Sequence, residues 1–279
     1  MNKLGLIAGG GALPVEVAQD CVAAGRPLFV IRLKGFADPE LEEFPGADIG
    51  LAELGKCFKT LKREGCRSVC FVGQVHRPDF KALKPDLRGL AALPGAIAAV
   101  RRGDDALLRF LLHEFEKEGF GVEGAHEVAD GLVLTEGPLG QVRPNAEQQA
   151  DVERAIAVAH EIGRLDIGQG AIVVRGLVLA VEAQEGTDAM LRRCAELPTT
   201  IRGTPEAPAG VLAKAPKPIQ ERRVDLPTIG LATLQRAAKA GLAGIAGEAG
   251  GLLVLDREAV IQTADELGLF IVGVPRPVP

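Results

Sequence analysis

The sequence contains no tryptophan and no tyrosine, and its aromatic content is ten phenylalanines. Proteins that bind bases or sugars by stacking need aromatic platforms, so that class of function is not expected. Lysine and arginine number 32 against 37 acidic residues, with no basic block. Nucleic-acid-binding surfaces are basic, so nucleic acid is not an expected partner. No apolar run approaches the roughly 18 residues of a membrane span, and glycines interrupt the N-terminal run too early for a signal peptide.

The five cysteines are odd in number and irregularly spaced, no C-x-x-C occurs, and the four histidines are scattered. The sequence therefore predicts no zinc site of ordinary spacing, and reduced, buried thiols in a cytoplasmic protein. Hydrophobic residues make up 47% of the 279, enough for an extensive core. Because single cores tend to split beyond roughly 250 residues, two domains are expected.

The first half of the chain alternates short apolar runs with helical patterns. Strands are predicted at 3–8, 28–32 and 68–72, and helices at 13–24, 53–64 and from Asp104-Asp105, as the cap, to about 118. A proline-containing loop is predicted between the third strand and the last of these helices, because Pro78, Pro85 and Pro94 fall there. Strands that alternate with helices indicate a parallel sheet, so residues 1–135 are predicted to form a Rossmann-like nucleotide-binding domain.

A glycine- and proline-rich stretch at 131–145 places the domain boundary, and residues 136–279 are predicted to form a second α/β domain. Its predicted helices are 146–163, 187–197 (capped by Thr187 or Asp188), 231–240 and 256–267 (capped by Asp256). Two strands joined around Arg175-Gly176 are predicted within 171–183, a glycine-punctuated strand region at 243–255, and a closing strand at 269–274.

Three glycines, Gly9, Gly10 and Gly11, separate the first strand from the first helix, which Ala12 precedes. Glycines let a ligand approach the backbone, and a helix N-terminus attracts phosphate. The dinucleotide fingerprint is broken, because Pro14 stands at its third glycine position and no acid follows the second strand. A nucleotide or diphosphate pocket and a tight turn without a ligand both remain open.

Two further sites are candidates in the first half. The loop Gly73-Gln74-Val75-His76-Arg77-Pro78 follows a strand, so it is expected to face the same crevice as the glycine turn. There Gln74 could contact a base edge and Arg77 a phosphate, and the alternative is a polar surface loop. Asp104 is either part of a helix cap or a metal or ribose ligand.

Polar residues in the second half gather at predicted strand ends and helix starts: Gln169, Glu182, Thr187, Asp188, Lys214, Lys217 and Asp225. A carboxylate beside lysines suits a magnesium–diphosphate site, with Asp as a hard oxygen ligand and Lys neutralising phosphate. Asp188 could be only a cap, and the lysines ordinary surface residues. Asp225 lies between apolar residues in VDLPTIG, where a merely solvated carboxylate would be unusual.

Several strings together resemble one family over essentially the whole chain. They are KLGLIAGGGALP, GQVHRPDF, GDDALLR, EGAHEV, DIGQGAIV, VEAQEGTDAML, LAKAPKPIQERRVDLPTIG and GLAGIAGEAG. The sequence is similar to the UDP-2,3-diacylglucosamine pyrophosphatases of lipid A biosynthesis, of the type unrelated to calcineurin-like phosphoesterases. The longest of these strings is specific, whereas the glycine turn alone is not.

This resemblance implies a reaction and a site. The expected reaction is hydrolysis of the substrate diphosphate to UMP and 2,3-diacylglucosamine 1-phosphate (lipid X), with Mg²⁺, by water attacking the β-phosphorus on the lipid side. It implies that the first domain binds the UDP moiety and the second the acylated sugar phosphate. The essential aspartate of the family maps onto Asp225, which could bind Mg²⁺ or orient the water. The family's glycine turn maps onto Gly9 to Ala12 and its second loop onto Gly73 to Pro78.

The remaining expectations concern substrate contacts, assembly, location and the alternative functions. Lys214 is the expected phosphate contact, with Gln169, Thr187 and Asp188 at the sugar–phosphate end. Apolar segments of the second half are expected to line an acyl-chain groove. The resemblance implies a homodimer, and the lipid substrate implies a cytoplasmic protein in transient contact with the inner membrane. A nucleotide-sugar dehydrogenase and a non-catalytic sensor of a nucleotide-linked lipid remain as alternatives.

Overall fold

The computed structural model describes residues 1–76, 83–218, 221–224 and 226–276, and of Asp104 only the backbone. The predicted site residues Arg77 and Asp225 therefore lie outside the described residues. The chain divides into two compact units. The described residues of the first are 1–76, 83–130 and 221–224, and those of the second are 131–218 and 226–276. No sequence pattern indicates that the short 221–224 segment returns to the first unit.

The described part of the first unit is built on a parallel sheet. Its strands are β1 (Leu4–Ala8), β2 (Leu28–Leu33), β3 (Gly46–Ile49), β4 (Ser68–Val72) and β5 (Gly121–Glu123). Its helices are α1 (Ala12–Ala23), α2 (Leu54–Arg63), α3 (Leu87–Val100), α4 (Asp104–Lys117) and α5 (Ala125–Val128). The strand order is β3-β2-β1-β4-β5, with every pair parallel. This confirms the predicted parallel sheet and α/β class. The order reverses direction at β1, so the carboxyl ends of β1 and β4 flank the switch point where such sheets bind ligands.

Helix α3 corrects the sequence prediction, which placed a loop around Pro94. Asp86 caps this helix, its Oδ1 accepting the Gly89 amide at 2.8 Å. Pro94 lies inside the helix, where its missing amide costs one backbone hydrogen bond without ending the helix. The cap of α4 also differs from the prediction, because Gly103, with φ of 123°, holds that position and Asp104 is already helical.

The second unit contains a six-stranded mixed sheet and a two-stranded pair. Its strands are β6 (Gly137–Leu139), β7 (Gly170–Val174), β8 (Leu177–Val181), β9 (Val211–Lys214), β10 (Thr228–Ile229), β11 (Gly244–Glu248), β12 (Leu253–Val254) and β13 (Phe270–Val274). Its helices are α6 (Ala146–Arg164), α7 (Gly186–Ala195), α8 (Leu231–Lys239) and α9 (Arg257–Glu266). The large sheet has the order β6-β13-β11-β9-β7-β8, in which β13, β11 and β9 are parallel. A second α/β domain is thus confirmed.

The hairpin of β7 and β8 turns at Arg175-Gly176, as predicted. Both residues have positive φ, 48° and 74°, the combination that a two-residue hairpin turn favours. The buried Asp151 carboxylate accepts their two amides at 2.8 and 2.7 Å. Helix α7 begins at Gly186 after Glu185, so neither Thr187 nor Asp188 is its cap, contrary to the prediction. Asp256 does hold the N-cap position of α9, as predicted, but without a side-chain cap hydrogen bond.

Each unit has its own apolar core. In the first, Phe58, Phe115 and Phe120 pack around one another, with the Phe58 and Phe115 ring centroids 4.8 Å apart. All five cysteines are buried, as predicted. Burial raises the pKa of the Cys57 thiol to about 12, so this thiol is unreactive at neutral pH. Among the helices of the described residues, none combines the length and apolar character needed to cross a bilayer.

Candidate active site

The glycine turn and the loop after β4 lie against each other at the switch point of the first sheet. The Gly9 amide donates to the Val72 carbonyl at 2.8 Å, and Gly10 and Gln74 exchange backbone hydrogen bonds of 2.9 and 2.8 Å. A Cβ on Gly9 would lie 2.6 Å from the Gln74 carbonyl oxygen. Glycine is therefore required at position 9 for the two loops to meet.

Gly73 is held equally tightly. Its φ is +90°, and a Cβ there would lie 2.6 Å from Pro14 Cγ and 2.8 Å from the Gly10 carbonyl oxygen. Gln74 and Val75 follow it with exposed side chains. The structure thus brings together the residues predicted on both loops, apart from Arg77, which is outside the described residues.

A carboxylate already occupies the N-terminus of α1. The Gly11 amide donates to Asp38 Oδ2 at 2.5 Å. A phosphate bound to this amide would compete with the Asp38 carboxylate for the hydrogen bond and be repelled by its charge. Asp38 therefore has to move aside before an anion can bind there. Sequence reasoning missed Asp38, and no motif marks it.

An apolar cavity of about 560 Å³ lies in the first unit beside the same loop. Gln74, Val75 and His76 contribute to its lining and have exposed side chains, so the cavity reaches solvent beside the loop after β4. Deeper lining residues are carbon-rich, among them Ile7, Phe71 and Leu93 from three different elements. This cavity was not predicted from the sequence.

The segment that precedes Asp225 is fixed to α4. Asp105 Oδ1 accepts the Glu221 amide at 2.9 Å, and Arg223 donates to Glu221 and to Glu116 at 3.0 Å. The Arg223 guanidinium holds the pKa of the Glu221 carboxyl below its usual range. Asp105, next to the predicted site residue Asp104, thus anchors the 221–224 segment. Sequence reasoning had assigned this aspartate pair to a helix cap.

A buried lysine lies at the carboxyl end of β9 in the second unit. Lys214 is only 5% exposed, and its Nζ donates to Thr187 Oγ1 at 2.9 Å and to the Thr228 carbonyl at 3.2 Å. Thr187 Oγ1 in turn donates to Glu182 Oε1 at 2.9 Å. The structure thereby joins Thr187 and Lys214, both predicted site residues, to a buried carboxylate.

Two oxygen atoms in this region lack a hydrogen-bond partner among the described residues. They are Glu182 Oε2 and Gln169 Oε1, and both are buried. Gly170, which follows Gln169 and begins β7, pairs with Lys214 in the sheet. A Cβ on Gly170 would lie 2.5 Å from Glu182 Oε2. A buried polar oxygen is costly unless something pairs with it, so these atoms indicate a ligand-binding position.

The predicted residue Asp188 has a different partner. Its carboxylate is about half exposed and pairs with Arg236 at 3.3 Å. Lys217 likewise pairs with Asp166, at 2.7 Å. Neither contact belongs to the hydrogen-bonded chain of Lys214, Thr187 and Glu182, which we call the Lys214 cluster.

Glu248 is a fully buried carboxylate that sequence reasoning missed. It ends β11, the neighbour of β9, and so lies at the same sheet edge as Lys214. His160 Nε2 lies 3.3 Å from one of its oxygens and Arg276 4.0 Å from the other. The available signal was an acid in the otherwise small and apolar run GIAGEAG.

Comparisons with known proteins assign the family. The family model described as the LpxI N-terminal domain matches residues 3–132, and the LpxI C-terminal domain model matches residues 135–272. A curated relative from Caulobacter vibrioides, named UDP-2,3-diacylglucosamine pyrophosphatase LpxI, is 68% identical over 274 residues, covering 98% of each chain. Among solved structures, a CobK precorrin-6A reductase matches over 100% of this chain and 89% of that one, with 13% sequence identity and a TM-score of 0.33. This likeness is too weak to support any argument. These matches confirm the resemblance stated from the sequence motifs: the chain belongs to the LpxI family.

Proposed function

We propose that the chain hydrolyses the diphosphate of UDP-2,3-diacylglucosamine to UMP and 2,3-diacylglucosamine 1-phosphate. The 68% identical relative is named as a pyrophosphatase of this compound. The observation in the structure that carries the proposal is the Lys214 cluster. Lys214 is only 5% exposed and lies at a sheet edge, and an ammonium held in such a low-dielectric position interacts strongly with the oxygens of a diphosphate.

The cluster's chemistry suits phosphoryl transfer. Negative charge spreads over the phosphoryl oxygens in the transition state, so a fixed cation nearby stabilises it. Thr187 and the Thr228 carbonyl hold the Lys214 ammonium in one orientation. Glu182 accepts a hydrogen bond from Thr187 and so places a negative charge close to the Lys214 ammonium.

The proposed reaction is a single displacement at the β-phosphorus. Water forms the new P–O bond, the bond from the β-phosphorus to the bridging oxygen breaks, and UMP leaves with that bridging oxygen. Asp225 is the proposed group that orients the water or binds the metal. In ¹⁸O-labelled water the label should enter the sugar phosphate, and label in UMP would instead place the attack on the α-phosphorus.

Magnesium is proposed as the cofactor. Mg²⁺ typically uses one or two carboxylates together with substrate phosphates and water. Glu182 Oε2 and Gln169 Oε1, the buried oxygens without a partner among the described residues, are ligand atoms of the class it prefers. Asp225 is the metal ligand that the family resemblance implies. No group of three or more His, Cys, Asp or Glu side chains suited to a metal occurs within the described ranges. When bound, Mg²⁺ would neutralise charge on the diphosphate.

The test is an assay of UMP release by the wild type, Lys214→Met and the control Lys239→Met, which changes an exposed lysine near the end of α8. Loss of one fixed donor to transition-state charge typically lowers kcat by about 10²–10³-fold, and we expect that for Lys214→Met only. Equal rates in both variants, each folded by circular dichroism, would contradict the role of Lys214. Binding of substrate without turnover by the wild type would instead favour the sensor alternative.

The assembly and location proposed from the resemblance are a homodimer in the cytoplasm that contacts the inner membrane. Analytical ultracentrifugation of the purified protein tests the first, with a mass of twice 29.2 kDa expected. Cell fractionation tests the second, with most of the protein expected in the soluble fraction and a minor share on membranes.

A further inference from the structure

Three of the strings that carry the family resemblance meet at one short segment of the first unit. They are GDDALLR, EGAHEV and the ERRVD part of the longest string, and among their residues only Asp225 has a role in the proposed reaction. The described part of ERRVD, residues 221–224, is a turn in which the Val224 amide donates to the Glu221 carbonyl at 3.1 Å. This segment, which we call the 221–224 turn, ends one residue before Asp225.

Helix α4 holds the start of the 221–224 turn through the string GDDALLR. Asp105 Oδ1 accepts the Glu221 amide at 2.9 Å, and Arg109 Nε donates to the other oxygen of Asp105 at 2.7 Å. Both oxygens of the Asp105 carboxylate are therefore engaged, one by its own helix and one by the turn. A carboxylate held at both oxygens has a fixed orientation, so the Glu221 amide has a defined place on α4.

Arg223 joins the turn to α4 a second time. Its Nε and Nη2 donate to the two oxygens of Glu221, each at 3.0 Å, and its Nη1 donates to Glu116 Oε1 at 3.0 Å. A guanidinium presents its donors in a rigid planar fork, so these three bonds fix both the position and the plane of the group. Glu116 and Asp105 are about three helical turns apart, so α4 holds the turn at two well-separated points.

The string EGAHEV supplies the surface on which the backbone of the turn lies. A Cβ on Gly124 would lie 3.2 Å from Arg223 Cα and 2.6 Å from His126 Nδ1, so glycine is what allows this approach. Val224 contributes to the lining of the apolar cavity of the first unit. Polar contacts thus hold the turn at residues 221 and 223, backbone packing holds it at 223, and apolar contact holds it at 224.

We propose that Arg223 is a positioning residue for Asp225 and acts by fixing the chain two residues before it. The inference rests on the proposed function, in which Asp225 orients the attacking water or binds the metal. A group with either role has to be held within about half an ångström of its productive place, and a 1 Å displacement can lower the rate by about 100-fold.

The exposure of these side chains predicts where the effect is measured. Arg223 is 34% exposed and Glu116 41% exposed, and ion pairs at such positions contribute little to global stability. Loss of the Arg223 contacts should therefore lower kcat much more than it lowers the melting temperature. A residue that only supported the fold would instead change activity in proportion to the loss of folded protein.

The test compares kcat, KM and melting temperature of the wild type, Arg223→Met and the control Arg63→Met. Arg63 lies at the end of α2 in the same unit and is 72% exposed. In Arg223→Met, kcat for UMP release should fall about 10–100-fold, because Asp225 loses its fixed place. KM should change by less than about twofold and the melting temperature by less than about 4 °C. Arg63→Met should match the wild type in all three quantities.

Two milder variants test whether the contacts act as a unit. Arg223→Lys keeps the charge without the planar fork, so its kcat should lie between those of the wild type and Arg223→Met. Glu116→Gln should lower kcat about three- to tenfold, and adding it to Arg223→Met should lower kcat no further, because the bond between the two residues is already lost. Fully additive losses in the double variant would contradict the proposed action of Arg223 through Glu116.

The outcomes separate this inference from the proposed function. If the wild type releases UMP and Arg223→Met has the same kcat, the inference is overturned and the proposed function stands. A fall in kcat that only matches a loss of folded protein would overturn it as well. If circular dichroism shows that Arg223→Met is misfolded, Arg223→Lys and Glu116→Gln carry the same comparison.

Hydrogen exchange tests the turn without reference to activity. If the folded wild type releases no UMP, the proposed function fails, and the exchange of amides 222–225 then decides the inference. These amides should exchange at least tenfold faster in Arg223→Met than in Arg63→Met, because the contacts that hold the turn closed are lost. Equal exchange in the two variants would overturn the inference.

Discussion

Thr187→Val tests how the buried lysine is held. The substitution keeps the shape of the side chain and removes the hydroxyl that accepts from Lys214 Nζ and donates to Glu182 Oε1, both at 2.9 Å. The two charged groups are 5 and 6% exposed, so water does not readily replace the lost bonds. Glu182 Oε1 would then lose the hydrogen bond that Thr187 donates, and the Lys214 ammonium would lose one of its acceptors.

The magnitude follows from these two bonds. A hydrogen bond to a charged group contributes about 1.5–3 kcal/mol, and the two bonds share one hydroxyl, so we expect a loss of about 2–4 kcal/mol. Urea unfolding measures this loss as a lower free energy of unfolding. In the activity assay, kcat/KM for UMP release should fall about tenfold or more, because the Lys214 ammonium loses its fixed orientation.

Two controls bracket this result. Thr187→Ser keeps the hydroxyl and should stay within about 1 kcal/mol of the wild type. Thr200→Val makes the same change at an exposed position and should fall within about 0.5 kcal/mol of the wild type. If Thr187→Val is as stable and as active as Thr200→Val, the Lys214 cluster is not the ordered unit that the proposed mechanism requires.

Three further predictions follow from other contacts. Arg26 donates two hydrogen bonds to Glu123, at 2.8 and 2.7 Å, which lowers the pKa of that carboxyl. Glu123→Gln should therefore lower the free energy of unfolding by about 1.5 kcal/mol at pH 7. In urea titrations below pH ~4 the difference from the wild type should shrink, because the wild-type carboxyl is then protonated. Gly170→Ala should lower the melting temperature and UMP release together, because its Cβ would lie 2.5 Å from Glu182 Oε2; an unchanged melting temperature would contradict this packing. Asp38→Ala should tighten UMP binding by about two- to fivefold in calorimetry if phosphate binds at the α1 N-terminus, and unchanged affinity would place the phosphate elsewhere.

Most regular elements were predictable because their signals are local. The strands LGLIA and FIVGV lie in apolar runs that end at a lysine, a glycine or a proline. The residues of the Arg175-Gly176 turn both have positive φ. Helix α3 was missed because Pro94 suggests a loop, whereas the helix tolerates one missing amide. The strands β3 and β5 were missed because they are short and carry acids.

The residues of the candidate site likewise differ in whether a local sequence signal marks them. Lys214 and Thr187 were predictable from strand ends and from the family motifs, and the structure joins them. Asp38 and Glu248 were not, because their significance arises from contacts made across the fold, to the Gly11 amide and to His160. The apolar cavity also escaped prediction, since its lining residues come from many elements and each alone is typical of a core.

The most direct test of the proposed function is hydrolysis of UDP-2,3-diacylglucosamine by the purified protein in Mg²⁺ or in EDTA, alongside Asp225→Ala. UMP and the lipid phosphate are followed by ³¹P NMR. We predict equimolar products from the wild type in Mg²⁺, none in EDTA, and none from a folded Asp225→Ala that still binds substrate. Undiminished hydrolysis by Asp225→Ala, or no hydrolysis by the folded wild type, would contradict the proposed site or the proposed reaction respectively.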